Sequence, residues 1–149
     1  MVGEEHQMRK QKGFTIIELL IVMAVIAILV GIAIPSFRAM QTEAWKTKAQ
    51  GDTRVLKIAL ESYFKNHASF PAVANYQATL LTESPPVLET TLDDPFAAAG
   101  TPYVYSLSSN GRYYVVYSIG PGTPAGTASI NDAGVVTISG SPIYATNGR

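Results

Sequence analysis

The sequence has no cysteine among its 149 residues. It can therefore form no disulfide, no thiol nucleophile and no cysteine-ligated metal site. Histidine is almost as scarce, with His6 near the start and His67 in mid-chain, and no glycine-rich phosphate loop is present. Asp93 and Asp94 are adjacent acids, but they precede a proline, which is typical of a turn. We therefore expect no enzymatic activity, no metal site and no cofactor.

Positive charge is scarce in the second half of the chain. After Lys65 the basic residues are Arg112 and Arg149, whereas there are five acidic residues, Glu83, Glu89, Asp93, Asp94 and Asp132. Proteins that bind nucleic acid need a clustered basic face. Direct binding of DNA or RNA is therefore not expected.

Charge is absent altogether from residues 19–34, and the apolar segment reaches about twenty-one residues when it is counted from Phe14. That length matches the hydrocarbon core of a bilayer, so we predict a membrane-spanning helix. Glu18 interrupts the segment, and a carboxylate inside a span costs about 2.5 to 3.5 kcal/mol. The apolar region of a secretory signal peptide is shorter, about 7 to 15 residues. A plain signal anchor is the alternative, but it gives Glu18 no role.

The start of this segment carries a specific motif. Residues 12–19 read Lys-Gly-Phe-Thr-Ile-Ile-Glu-Leu, and this pattern resembles the prepilin signature of type IV pilins and of the pseudopilins of type II secretion systems. The resemblance implies cleavage between Gly13 and Phe14 by a prepilin peptidase, N-methylation of Phe14, and a role for Glu18 in filament assembly. Cleavage creates an ammonium group at Phe14, which could pair with Glu18 of a neighbouring subunit. Both charges would then be compensated only in the filament.

The leader has two candidate starts. Residues 1–7 are acidic, whereas residues 8–13 form a compact basic leader, so Met8 is an alternative to Met1. We predict a prepilin leader over residues 1–13, a transmembrane and assembly helix over 14–38, and a globular domain over 39–149. The resemblance implies a single pass through the inner membrane, with the leader in the cytoplasm and the globular domain in the periplasm.

The helix is predicted to continue beyond Pro35 to about residue 66. Proline removes a backbone hydrogen bond and clashes with the preceding turn, so we expect a helix kink or local melting near Pro35. The alternative is that Pro35 ends the helix. Apolar residues nevertheless recur at helical spacing beyond it. Among them, Trp45, Tyr63 and Phe64 are predicted to lie in the core of the globular domain.

The second half of the chain predicts a short helical turn over residues 76–81 and then a small sheet. Residues 103–107 and 112–119 are rich in aromatic and β-branched residues and flank an Asn-Gly turn, which indicates a hairpin. Residues 134–139 are predicted to be a third strand. The Asp-Pro-Phe segment that starts at Asp94, together with the hairpin, is similar to the carboxy-terminal region of major pseudopilins. The predicted fold is α+β, with a long N-terminal helix whose second half packs on an antiparallel sheet of about three strands.

The combined resemblance implies a structural subunit that polymerises into a periplasmic pseudopilus driving type II protein secretion. It implies as partners other copies of the chain, minor pseudopilins, the prepilin peptidase, membrane lipid before assembly, and an inner-membrane assembly platform with a cytoplasmic ATPase. The alternative is a type IV pilin that forms a surface fibre for adhesion, motility or DNA uptake. Many type IV pilins close their carboxy-terminal region with a disulfide, so the absence of cysteine favours a pseudopilin.

Two further features of the second half carry alternatives. Major pseudopilins typically bind calcium in an acidic loop, but here residues 121–132 contain a single carboxylate, Asp132. Calcium prefers several charged oxygen ligands, so we predict no tight calcium site in this loop. If calcium does bind, Asp93, Asp94 and Asp132 are its expected ligands.

The hairpin tyrosines are predicted to be cross-strand packing residues. An electron-transfer or carbohydrate-stacking surface is the alternative.

Overall fold

A computed structural model describes residues 13–149 of the chain. The choice between Met1 and Met8 and the basic residues of the leader lie outside the described residues. The chain divides into two compact units, an N-terminal unit that ends at Ala39 and a C-terminal unit, Met40–Arg149.

A single long helix, α1, runs over Ile16–His67. It is continuous through Pro35, so the proline does not end the helix and the local melting expected there is not seen. Residues 13–41 are exposed throughout. In the C-terminal unit, by contrast, α1 buries one face, formed by Ala49, Thr53, Leu56, Ala59 and Leu60. The change follows from the sequence, because apolar residues surround the first half of the helix and form a stripe along the second half.

The C-terminal unit continues with a single 3-10 turn, Val73–Asn75, and a short helix α2, Tyr76–Thr82, which confirms the predicted helical turn. Its main sheet contains β1 (Val104–Leu107), β2 (Tyr114–Ser118) and β5 (Ile143–Thr146), in the order β1-β2-β5 and antiparallel throughout. The predicted hairpin is therefore present, with Leu107 opposite Tyr114 at its closed end. The α+β class is confirmed.

The predicted third strand is wrong in its pairing. Val136–Ser139 is a strand, β4, but it pairs with β3, Thr127–Ile130, in a separate two-stranded antiparallel sheet. The third strand of the main sheet is β5, which the sequence analysis missed. The physical reason is that β3 lies in a segment predicted as loop from its glycines and prolines. Both β3 and β5 are four residues long, too short for a clear period of two.

The two faces of β2 bury different clusters. Tyr114 and Val116 pack with the α1 face, α2 and Tyr105 in the main core, whereas Val115 and Tyr117 pack against β3 on the other side. Because successive residues of a strand point to opposite faces, one strand can join both clusters. All five residues of β2 are buried, so this strand is the centre of the unit.

The predicted core positions on α1 are only partly correct. Tyr63 packs against the main core. Trp45 and Phe64 are each 40% exposed and lie at its margin, where Trp45 meets the edge of Phe96 with ring centroids 5.8 Å apart. Their large rings cover the rim of the core and do not fill its interior.

Candidate assembly site

The start of α1 forms a capping box that links Thr15 and Glu18. Thr15 precedes the first helical residue, and its hydroxyl oxygen accepts a hydrogen bond from the Glu18 backbone N–H at 3.3 Å. In return, the Glu18 carboxylate accepts from the Thr15 backbone N–H and hydroxyl, both at 3.4 Å. These reciprocal contacts satisfy backbone donors that a helix start leaves free. Sequence reasoning missed this role of Glu18, although the Thr-x-x-Glu spacing indicates it.

The capping box places a carboxylate beside the predicted cleavage point. Thr15, whose N–H donates to Glu18, directly follows Phe14, and the Phe14 side chain is 87% exposed. Glu18 has no basic partner among residues 13–149. Its long, exposed contacts with Thr15 leave lone pairs available for a cation. The processing and methylation of Gly13 and Phe14 remain predictions.

A second polar arrangement lies in the C-terminal unit, around Asp94. This side chain is only 3% exposed, and its carboxylate accepts hydrogen bonds from the Ser118 hydroxyl at 2.7 Å, the Ile119 N–H at 2.9 Å and the Phe96 N–H at 3.0 Å. Asp94 thereby joins the loop after α2 to the end of β2. Sequence reasoning identified a turn here but not the link to Ser118, which lies 24 residues further along the chain.

Asp93, Asp94 and Asp132, the residues predicted as alternative calcium ligands, are not gathered into one cluster in the described part of the chain. The Asp132 carboxylate accepts from the Asn110 N–H at 2.9 Å and so holds the β1–β2 turn, while Asp94 is engaged at the end of β2. Among residues 13–149, no group of three acidic or histidine side chains comes together. The carboxylates of Asp94 and Asp132 already accept hydrogen bonds from backbone N–H groups, and the loop before Asp132 has no carboxylate to add. A calcium site of the pseudopilin kind therefore does not fit these residues.

The loop between β2 and β3 is held by close contacts between backbone segments, both within the loop and with the segment before β5. The Gly126 N–H donates to the Ile119 carbonyl at 2.7 Å. A side chain at Gly126 would meet that oxygen at 2.6 Å, and one at Gly120 would collide with the Ser141 carbonyl. Gly120 also has a φ of +67°, which favours glycine. Glycine at these two positions therefore lets the segment before β5 lie directly against the loop.

Three tyrosines of the predicted hairpin region, Tyr103, Tyr105 and Tyr114, are core residues together with Tyr76 of α2. Tyr76, Tyr103, Tyr105 and Tyr114 are all at most 5% exposed, and Tyr105 lies 4.8 Å from Tyr76 and 6.1 Å from Tyr114 between ring centroids. Burial raises the pKa of Tyr76 to about 12, although its hydrogen bond from Gln77 opposes the shift. Burial also raises the pKa values of the other three. The predicted cross-strand packing is confirmed for Tyr105 and Tyr114, which lie on the paired strands β1 and β2. The four buried rings offer no surface for stacking a sugar.

Comparison with known proteins finds a family match at the start of the chain and a similar protein along most of its length. A family described as the prokaryotic N-terminal methylation motif matches residues 8–34. The Type II secretion system core protein G of Pseudomonas aeruginosa is 28% identical over 137 residues, which cover 87% of this chain and 96% of that protein.

The matches to pilins have higher sequence identity than the match to the secretion protein, but they cover fewer residues. A Fimbrial protein of Pseudomonas aeruginosa is 47% identical over 55 residues, 37% of this chain and 36% of that protein. The Type IV major pilin protein PilA of Myxococcus xanthus is 38% identical over 66 residues, 44% of this chain and 30% of that protein. No solved structure matches. The chain therefore carries the N-terminal methylation motif of the type IV pilin family, followed by a long apolar helix, and is similar to both a secretion-system protein and pilins.

Proposed function

We propose that this chain is a structural, non-enzymatic subunit that polymerises into a filament through its apolar helix. One observation supports this above all: sixteen large apolar side chains between Phe14 and Phe37 are exposed. Full burial of one such side chain is worth about 1.5 to 3 kcal/mol. Leaving all of them in water would therefore cost on the order of 30 kcal/mol, more than the total stability of a typical domain.

Lipid or other copies of the chain must therefore cover this surface. The helix is long and apolar enough to cross a membrane, so the stored subunit would lie in the inner membrane with its C-terminal unit in the periplasm. In the filament, neighbouring helices would replace the lipid. The prepilin peptidase, minor pseudopilins, and the assembly platform with its cytoplasmic ATPase are the partners that this proposal requires.

A pseudopilus of type II secretion is the filament that the similarities favour. The secretion protein resembles this chain over 96% of its length, including the region of the sheet, whereas the first fimbrial protein matches over 36% of its own. The N-terminal helix is common to both groups, so similarity in the C-terminal unit discriminates better between them. The second candidate is a type IV pilus subunit, and the higher identity of the fimbrial match favours it.

Deletion of the gene tests this choice. If the chain builds a pseudopilus, exported enzymes should accumulate in the periplasm and surface fibres should remain. Loss of surface fibres with normal export would instead establish the pilin function. Normal export together with normal fibres would contradict both.

Substitution of Glu18 tests the assembly mechanism. Glu18→Gln keeps an oxygen that can accept from the Thr15 N–H, and thus keeps the capping box, but removes the charge. Glu18→Val removes both. If Glu18 pairs with the Phe14 ammonium of a neighbour, both variants should insert into the membrane and both should fail to assemble. If Glu18→Gln assembles normally while Glu18→Val does not, helix capping is the role of Glu18 and the pairing mechanism is wrong.

A further inference from the structure

The second half of α1 has an exposed face opposite the one that it buries. Gly51, Val55 and Ile58 lie along this face, and the side chains of Val55 and Ile58 are 48% and 68% exposed. Leu56 and Leu60, on the opposite face, are fully buried. We call residues 51, 55 and 58 the α1 ridge. Its apolar side chains are only partly covered within the C-terminal unit.

Two grooves flank the α1 ridge, and each contains one charged residue. One groove of about 310 Å³ has Val55, Val87 and Leu92 in its lining, together with Glu89. The other, of about 390 Å³, is lined by Arg54 and by the start of β5, including Tyr144. Arg54 and Val55 are successive residues and so point about 100° apart around the helix. The acidic and the basic groove therefore lie on different sides of the ridge.

The two charges are free to bind a partner. Arg54 and Glu89 are both exposed, and within residues 13–149 neither has an ion pair or a side-chain hydrogen bond. Six other charged residues along this half of α1 are paired within the chain, in the contacts Glu43–Lys46, Lys48–Asp52 and Lys57–Glu61. An unpaired cation on one side of an apolar ridge and an unpaired anion on the other are complementary to a second copy of the same surface.

We propose that the α1 ridge is a contact between neighbouring copies of the chain, in which Arg54 of one copy pairs with Glu89 of the next. This inference rests on the proposed filament function. The contact is head to tail, so each copy keeps a free Arg54 at one side and a free Glu89 at the other. Contacts of this type repeat without closing, as a filament requires. A two-fold contact would instead pair the same two residues reciprocally and close as a dimer, so it would give crosslinked dimers without longer species when cysteines replace Arg54 and Glu89.

Disulfide crosslinking in the full-length protein tests the contact, and the absence of native cysteine makes the introduced pair unique. The double variant Arg54→Cys, Glu89→Cys should give a ladder of dimers, trimers and longer species in isolated filaments. Each single variant should give none. A double variant of Arg54→Cys with Arg112→Cys, which replaces an exposed basic residue outside both grooves, is the matched control and should also give no ladder.

Charge reversal provides the second test. Arg54→Glu and Glu89→Arg should each reduce filament yield about tenfold or more, because they place like charges together, and the double reversal should restore it. Arg112→Glu should have no effect. If the unmodified chain forms filaments but the double-cysteine variant gives no ladder, this contact is overturned while the proposed function stands. Dimers from a single-cysteine variant would show a two-fold contact and also overturn it. If the unmodified chain forms no filaments, the proposed function itself is refuted.

Discussion

Replacement of Asp94 should destabilise the C-terminal unit more than replacement of any other acidic side chain described above. Its carboxylate accepts three hydrogen bonds, from Ser118, Ile119 and Phe96, and only 3% of the residue is exposed. A hydrogen bond to a charged group contributes about 1.5 to 3 kcal/mol, and a buried donor left without its partner costs about 1 to 3 kcal/mol. The contacts with the Phe96 and Ile119 N–H groups are only partly buried, so water can compensate part of their loss.

We therefore expect Asp94→Ala to lower the free energy of unfolding by about 3 to 4 kcal/mol. Asp94→Asn keeps one acceptor oxygen but turns a donor toward a backbone N–H, and should cost about half as much. Ser118→Ala should cost about 1 to 2 kcal/mol. Because Asp94 and Ser118 contact each other, the double variant Asp94→Ala, Ser118→Ala should cost less than the sum of the single variants.

Urea unfolding of a truncated protein that begins at Met40 measures these differences. The matched control is Asp132→Ala, since this carboxylate makes exposed contacts with the β1–β2 turn and its loss should cost less than about 1 kcal/mol. If Asp94→Ala unfolded within about 0.5 kcal/mol of the unmodified protein, the argument that Asp94 joins the loop to β2 would be refuted.

Three other predictions follow from the same structure. Neither calcium nor a chelator should change the melting temperature of the truncated protein. If a site existed, calcium at a hundredfold excess over its Kd would add about 2.7 kcal/mol to the free energy of unfolding and raise the melting temperature by roughly 10 °C. Such a rise would contradict the prediction of no tight calcium site. The free energy of unfolding should fall as the pH rises from about 10 toward 12, because the buried tyrosines keep their protons in the folded state, where burial raises their pKa values, and lose them in the unfolded state. Tyr76→Phe should weaken that fall, and an unaltered slope would show that Tyr76 is not its source. Gly126→Ala should lower the melting temperature by several degrees, because the new methyl group meets the Ile119 carbonyl, whereas Gly51→Ala, with open space around it, should not.

Local sequence signals predicted the elements that depend on local interactions. The apolar run and the helical stripe beyond it predicted α1, and the Asn-Gly turn predicted the β1–β2 hairpin, in which the Gly111 N–H donates to the Ser108 carbonyl. Both features are determined by neighbouring residues, through helix periodicity and turn chemistry.

Contacts between distant residues account for what the sequence did not predict. β5 pairs directly with β2, although β3 and β4, which form a separate sheet, lie between them in the sequence. The four residues of β5 do not by themselves indicate that partner. The Asp94 contacts with Ser118 and Ile119 likewise exist only in the folded unit. The capping box of Thr15 and Glu18 is different, since it is local and its spacing is visible in the sequence; it was missed because the prepilin motif supplied another role for the same glutamate.

We predict that the chain is cut after Gly13 and assembles with Phe14 at its amino terminus. Mass spectrometry of the chain recovered from isolated filaments tests both parts together, because it measures only assembled subunits. The mature chain is expected to begin at N-methylated Phe14, and a Gly13→Arg variant is expected to keep its leader and to be absent from filaments. Filaments built from chains that begin at Met1 or Met8, or at another cut site, would contradict it.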